Sequence, residues 1–407
     1  MPDLAFDQRY ARLAVQVAVP LQPGQRLLIV SPPETFELAG QIAAAAYDVG
    51  AAEVEILYED PQVLSLKVQR AATAQLQRFS PWTADALTAH ARAGQPMLSL
   101  HAPQPHTRRE QDARAAVAAS ARNAALEEYG LRRSKVLFNW SVMAVATASW
   151  ARLLRPELPE ADALEWLWQV LARLMRLDAP DPREAWQAHA ERLMQRCAAL
   201  DDLNITELHF EGPGTDLRLG LPEGHQWFGP LVPSAAGLRG IPNMPTEEIS
   251  TLPHRLQAEG RVRMTRPLVV HGHLIETMDL TFEGGRVTGL HSPSGEALLR
   301  ALLATDEGAA RLGEVALVSE DSRVSREHRT FYSTLIDENA SCHLALGRAY
   351  PVTLKGGADV EAAEFLARGG NHSQVHLDFM VGSPELDVTA LTSDGRRVPV
   401  MRGGRWA

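Results

Sequence analysis

Six side chains between Asn243 and Phe379 have the chemistry to hold metal: Glu248, Glu314, Glu338, His343, His376 and Asp378, each inside a short, locally distinctive segment. The set is rich in carboxylates and carries two imidazoles. A catalytic mononuclear zinc site needs three protein ligands and one open position, whereas four carboxylates with two histidines suit two divalent cations a few ångströms apart that share a bridging carboxylate and a water. The first hypothesis is therefore a two-metal hydrolase.

Each segment also has a plainer reading. Asn243–Ser250 (NMPTEEIS) sets Glu247 beside Glu248. Adjacent side chains of an extended segment face opposite ways, so only one of the two points into a given site, the alternative being two surface acids. Gly313–Ser319 (GEVALVS) reads as an apolar strand with Glu314 at its mouth, either a solvated acid or a ligand presented at a strand end. In Asp337–Gly347 (DENASCHLALG) Glu338 and His343 are five apart, wider than one helical turn, and a histidine beside Cys342 is more often packed and hydrogen-bonded than a ligand. Tyr350 lies seven residues past His343, about two turns, so a helical segment brings both to one site; otherwise Tyr350 is a core aromatic.

The sharpest signal is His376–Leu377–Asp378, because residues two apart on a strand project to one face and offer an imidazole and a carboxylate side by side. His271–Gly272–His273 has the same spacing but sits in a hairpin with no acid before Glu276 and Asp279, and is read as structural. His372 precedes His376 by four beside Gly369–Gly370, where a helix is not expected. The sequence has no HExxH and no Gly-x-Ser-x-Gly, and adjacency alone does not make Cys342 and His343 a nucleophile–base pair.

The elements that must position these residues fall into two textures. Arg26–Pro33, Glu53–Asp60, Pro96–His101 and Lys135–Trp140 read as strands, alternating with helical segments at Glu37–Val49 and Thr107–Tyr129. Such β-α-β-α repetition predicts a parallel, helix-flanked sheet. After Val142 the chain turns helical, over Ala161–Met175 and Arg183–Leu200, which Pro180–Asp181–Pro182 separates. Past Asp201–Asp202 it becomes β-rich: Ile205–Phe210, Leu217–Leu221, Arg261–Leu268, a hairpin turning at Glu283–Gly284–Gly285–Arg286 and another around Ser393–Asp394–Gly395, with helices at Gly295–Leu312 and Val360–Ala367. The expectation is an α/β domain over residues 1–200 and an α+β, β-rich catalytic domain over 201–407; 407 residues exceed what one core usually supports. The first half carries neither GxGxxG after its first strand nor GxxxxGK[ST], so its nucleotide-binding look is topological only.

With 45% apolar and 22% charged residues the composition is that of a globular protein. The net charge of −10 is spread over both halves and the Arg pairs are isolated, which argues against nucleic acid. No window approaches the ~20 apolar residues of a membrane span, and the short apolar stretch Leu13–Val19, interrupted by Gln16, does not read as a secretory signal. Two distant cysteines, Cys197 and Cys342, imply neither a disulfide framework nor a thiolate zinc site, so a reducing cytoplasm is the simplest compartment.

Taken together, the segments NMPTEE, GEVALV, FYSTLIDENASCHLALGRAY and NHSQVHLDFMVGSPELDV resemble the thermophilic aminopeptidase family of metallopeptidases, the aminopeptidase T and aminopeptidase S group. The resemblance is dense from Asn243 to Trp406 and rests on order and length before that. It implies an α/β N-terminal domain, a C-terminal catalytic domain, a homodimer, and removal of N-terminal residues from peptides with a free N-terminus. It also implies that Glu248, Glu314, His343 and His376 hold one metal and Glu314, Glu338 and Asp378 a second, drawn from zinc, cobalt, magnesium or manganese, with Glu314 bridging and Tyr350 lining the site; on chemical grounds the Tyr350 hydroxyl is then the candidate oxyanion donor. His254 and Ser319–Glu320–Asp321 depart from the family pattern at positions that are not ligands in it. A dinuclear phosphoesterase is the chemical alternative, but the ligand segments are poor in the Arg and Lys that phosphate requires; a non-catalytic ligand-binding relative is the other.

Overall fold

The computed structural model describes residues 4–103, 112–270 and 272–407. Two compact units divide the chain: Met1–Ala190 with Pro230–Pro245 and His271–His273, and Glu191–Gly229 with Thr246–Val270 and Leu274–Ala407. The passage from one to the other falls within the helix Pro182–Asp202, ahead of the change of texture at Asp201–Asp202, and two later segments return to the first unit.

The first unit is built on a five-stranded parallel sheet in the order Glu53–Tyr58, Arg26–Ser31, Met97–His101, Trp140–Ala144, Asn243–Met244. Its helices are amphipathic: Phe36–Asp48 buries Leu38, Ala39, Ile42 and Ala46, which share one side of a 3.6-residue spiral. The fourth strand is Trp140–Ala144, not Lys135–Trp140. Val136 and Leu137 instead close the helix Glu127–Ser134: the Leu137 N–H donates to the Arg132 carbonyl and that of Val136 to Arg133, with Val136 in the left-handed region at φ 50. An apolar run was thus used to cap a helix. The expected helix Thr107–Tyr129 is two helices, Asp112–Ala125 and Glu127–Ser134, and its start lies outside the described residues.

The second unit carries an eight-stranded antiparallel sheet and a separate four-stranded one. In the large sheet the hairpin Asp279–Glu283/Arg286–His291 turns at Gly284–Gly285, both at positive φ (56 and 74), the pairing a two-residue hairpin turn demands. Two spans differ from expectation: Ala258–Arg263 replaces Arg261–Leu268, and the helix Glu296–Leu303 ends well before Leu312, which opens the strand carrying Glu314.

The small sheet runs Ile249–Thr251, Leu312–Leu317, His343–Gly347, His376–Met380, every pair antiparallel. Alternation divides its faces. Val315, Leu317, Leu344, Leu346 and Phe379 join the core that contains Leu208, Phe210 and Leu217 of the large sheet. The opposite face takes Glu314, Ala316, His343, Ala345, Gly347, His376 and Asp378, because the register sets Ala345 opposite both Glu314 and Asp378, Ala316 opposite His343 and Gly347 opposite His376.

Gly347 sits at φ +98 and a Cβ there would meet the Val375 carbonyl oxygen at 2.1 Å, so backbone approach and conformation both require glycine. Gly347→Ala should destabilise the fold by about 2 kcal/mol or more, the scale of a strained residue plus a clash, whereas Gly395→Ala, at φ +84 in open space, should cost only about 1 kcal/mol. Denaturant titration of both variants checks the contrast, and equal losses would contradict the steric account.

Candidate metal centre

The six side chains singled out by the sequence converge in the second unit. Their donor atoms form three groups, each with members within 4.8 Å of one another: Glu248, Glu314 and His343; Glu314, His376 and Asp378; Glu338, His343 and Asp378. Glu314 belongs to two groups, and so do His343 and Asp378. The grouping separates the imidazoles, with His343 beside Glu248 and His376 beside Asp378, so it divides the donors differently from the family-based division that put both histidines on one metal.

Three strands and two flanking segments create this convergence. The row Glu314–Ala345–Asp378 crosses the sheet, and His376 and His343 stand one strand-step of two residues from Asp378 and Ala345. Glu248 immediately precedes the strand Ile249–Thr251, and Glu338 opens a 3₁₀ turn, Glu338–Ala340, directly after the short helix Thr334–Asp337. Asp337 anchors that turn: its two carboxylate oxygens accept the N–H groups of Phe331 at 2.7 Å and Ser333 at 2.9 Å.

Distances within the centre suit donors arranged around a cation. His343 Nε2 is 3.2 Å from Glu248 Oε2, and His376 Nε2 is 3.3 Å from Asp378 Oδ1 and 3.5 Å from Glu314 Oε2. Two ligands at metal bond lengths of about 2.0–2.2 Å in a tetrahedral arrangement stand roughly 3.4 Å apart, so these gaps fit. Glu248 Oε2 is buried, and its polar neighbour is the His343 imidazole at 3.2 Å, with no well-formed hydrogen bond to it. A buried carboxylate oxygen without a donor is a group that calls for a cation.

The histidine tautomers are set from behind. A backbone carbonyl only accepts, so the 2.8 Å contact between His376 Nδ1 and the Arg348 carbonyl puts the proton on Nδ1 and turns Nε2 towards Glu314 and Asp378. His343 Nδ1 faces the Ser341 carbonyl at 3.4 Å in the same sense. Tyr350 reaches the centre by a route other than the helix considered for it: His343–Gly347 is a strand, the chain then loops, and the Tyr350 ring packs edge-on against His376 with centroids 5.3 Å apart and planes at 76°.

Glu247 joins no ligand group among the described residues, and its backbone N–H donates to Asn339 Oδ1 at 2.6 Å. His273 lies in the strand His273–Ile275 and joins no ligand group among the described residues; His271 lies outside them. His372 is exposed, and neither His254 nor Glu320 enters a group. Asp337, Asn339, Ala345 and the Arg348 carbonyl went unnoticed in the sequence; only the first two had a signal, as polar residues flanking Glu338 in an otherwise apolar stretch.

Electrostatics record the crowding of charge. With no cation among them, burial lifts the Glu314 carboxyl, and the Asp378 and Glu248 charges add to it against the pull of His376 and His343, to about 7. Burial, then Glu248, Asp378 and Glu314, raise Glu338 well above the carboxylate range. Burial depresses both imidazoles, but the carboxylates outweigh it: the Glu248 contact, then Asp378 and Glu314, carry His343 to about 9, and Asp378 with Glu314 carries His376 to about 9. Asp378 is penalised by burial yet lowered overall by His376 and His343.

All four raised groups bind more protons folded than unfolded, so each stabilises below its unfolded pKa and loses that contribution as pH rises through its folded one. Asp378 acts in the opposite sense, below the window concerned. Chelator-treated protein should therefore lose thermal stability steadily between pH 6 and pH 9, where Glu314 and then the histidines deprotonate. Protein loaded with divalent metal should not follow that decline, because cations replace the protons. Melting midpoints across the range decide it, and a chelated protein that becomes more stable towards pH 9 would contradict the charge assignment.

Comparison with known proteins agrees with the resemblance. The family model described as Thermophilic metalloprotease (M29) matches residues 7–406. The chain is 40% identical to Aminopeptidase 2 of Geobacillus stearothermophilus, covering 98% of this chain and 97% of that one, and 39% identical to Aminopeptidase T of Thermus aquaticus over the same shares. The solved structure of wild-type AmpT from Thermus thermophilus superposes with a TM-score of 0.90 at 37% identity, covering 99% of each chain. Family model, full-length relatives and solved structure thus span the same chain end to end, and the protein belongs to the thermophilic metalloprotease (M29) family.

Proposed function

We propose that this protein is a metal-dependent aminopeptidase that removes N-terminal residues from peptides at a two-metal centre. The observation that carries the reading is that the six donors fall into three overlapping groups and not one, with Glu314 common to the two that together take in Glu248, His343, His376 and Asp378. Glu248, Glu314 and His343 would hold one cation and Glu314, His376 and Asp378 the other, with Glu338 beside His343 and Asp378 on the buried side. Charge supports the number: four carboxylates balance two dications, whereas one dication would leave two buried negative charges uncompensated. Carboxylate and imidazole donors suit zinc, cobalt, manganese or magnesium.

Bound divalent cations supply Lewis acidity towards a scissile carbonyl and a water acidified towards neutrality. The chain's own residues do the rest. His343 and Glu338 form a floor, 1% and 7% exposed, that keeps bulk water out, while Glu248, His376, Asp378 and Tyr350 keep partial exposure and form the rim a peptide end approaches. The Arg348 carbonyl fixes His376, and the His376 ring in turn orients Tyr350 through their edge-on contact. The Tyr350 hydroxyl is a neutral donor suited to the developing oxyanion.

The resemblance to the aminopeptidase T and S group supports a homodimer. Both cysteines are free and buried, which fits a reducing compartment, and no helix among the described residues is long and apolar enough to cross a membrane.

Leucine- or alanine-p-nitroanilide should be hydrolysed and p-nitrophenyl phosphate should not, with activity lost to chelator and two equivalents of metal per chain. Hydrolysis of the phosphate ester alone would reverse the assignment. Among variants, Glu314→Gln should lose turnover and metal more completely than Glu338→Gln, beyond the ~10–100-fold cost of outer-shell changes, because it serves both cations. His343→Ala and His376→Ala should lower metal content while His273→Ala leaves it unchanged. Two bound metals and full turnover in Glu314→Gln would end the two-metal reading.

Tyr350→Phe keeps the ring against His376 and removes only the hydroxyl. Metal content and KM should change little while kcat falls by about 10²–10³, as for loss of one oxyanion donor. A variant that melts lower but turns over normally would return Tyr350 to a purely packing role.

A further inference from the structure

We propose that Asn339 is a positioning residue that sets the spacing between Glu248 and Glu338, an inference resting on the two-metal reading above. The four carboxylates are held in two different ways. Glu314 and Asp378 are members of hydrogen-bonded strands, opposite Ala345 on either side. Glu248 and Glu338 are not: the ladder beside Glu248 begins one residue later, at Ile249 opposite Leu317, and Glu338 lies on a 3₁₀ turn. No strand register reaches them.

Asn339 connects these two off-ladder segments across 92 residues of sequence. Its Oδ1 accepts the Glu247 N–H at 2.6 Å, fixing the backbone next to Glu248, while its Nδ2 donates to the Leu335 carbonyl at 3.1 Å in the helix just before its own turn, fixing the residue next to Glu338. The Ser322 hydroxyl donates to the Asn339 carbonyl at 2.9 Å and pins the turn from a third direction. The side chain is fully buried, at 0% exposure, so these bonds are shielded from water and expensive to leave unmade.

The chemistry selects an amide. One partner is a donor and the other an acceptor, and the place is surrounded by acids. An aspartate at 339 would take the Glu247 N–H but repel the Leu335 carbonyl and add a further negative charge. A short neutral side chain whose separate oxygen and nitrogen meet both partners at once is asparagine.

The test measures cation affinity separately from fold stability. Zn²⁺ binding to chelated protein, read by competition with a chromogenic chelator, gives stoichiometry and dissociation constants for wild type, Asn339→Ala and Asn339→Ser. The serine hydroxyl can still bond a carbonyl of its own turn, but it falls short of the Glu247 N–H, so this variant removes the cross-segment tie alone. Affinity should fall about 10–100-fold in both variants. The rise in melting midpoint on adding Zn²⁺ should shrink, and turnover should recover as free Zn²⁺ is raised. Unchanged dissociation constants, or a lower melting midpoint of the chelated variants with wild-type affinity in the folded protein, would make Asn339 a packing residue and overturn the proposal. Wild-type protein that binds fewer than two equivalents would instead refute the two-metal reading, and this assignment with it.

Discussion

Repulsion among four carboxylates confined to one buried patch is the constraint around which the second unit is arranged. Glu248, Glu314, Glu338 and Asp378 raise one another's cost of ionisation, and only the two imidazoles offset it from within the protein. Such a cluster is a poor device for folding, since hydrophobic residues of similar size would serve stability better. Its persistence in a buried location makes sense as a demand for external positive charge. The surrounding structure supplies the complementary features: tightly paired strands, buried hydrogen bonds to the turns, and an apolar core immediately beneath.

That core explains how the patch is tolerated. Residues alternate along each central strand, so Leu344 and Leu346 point into the same hydrophobic mass as Phe210 and Leu217 while His343 and Ala345 point to the charged side. Full burial of the apolar face, at roughly 25 cal/mol per Å², offsets the strain of holding like charges on the other. The candidate donors lie on one side of a sheet whose other side does the stabilising. Separation of tasks by strand parity lets ligands vary in protonation without disturbing the hydrophobic packing.

Much of this was legible before any coordinates. The HxD pair and the Glu314 strand were readable because a period of two is a strong constraint, and the helix-flanked parallel sheet followed from alternation of elements. The choice between Glu247 and Glu248 needed the tertiary structure, since alternation says only that one of them points inward. Tyr350 was placed near His343 on the premise of a helix that does not form; the strand and loop bring it to His376 instead, a tertiary outcome no local pattern encodes. The stretch Lys135–Trp140 reads as strand because apolarity alone does not distinguish a ladder from a helix cap, which is what Val136 and Leu137 form. Asn339 escaped notice because its partner is remote in sequence, and Ala345 because a small residue announces nothing until its neighbours across the sheet are known.

The row Glu314–Ala345–Asp378 has a bearing on ion choice. Its spacing is two repeats of the inter-strand distance, each about 4.8 Å, a dimension set by backbone hydrogen bonding and shared by all sheets. The frame is therefore a fixed ruler, and the methyl group at its midpoint leaves a gap of constant width. An ion of another radius has to be met by rotation of carboxylate torsions, with no adjustment of the frame. Glutamate at one end and aspartate at the other give unequal reach across that gap, so the centre is geometrically asymmetric even where its donors are chemically alike. Were divalent cations held there, discrimination among ions of similar size would fall to donor softness and to supply, and a change of metal would be absorbed in side-chain angles while the polypeptide stays where it is.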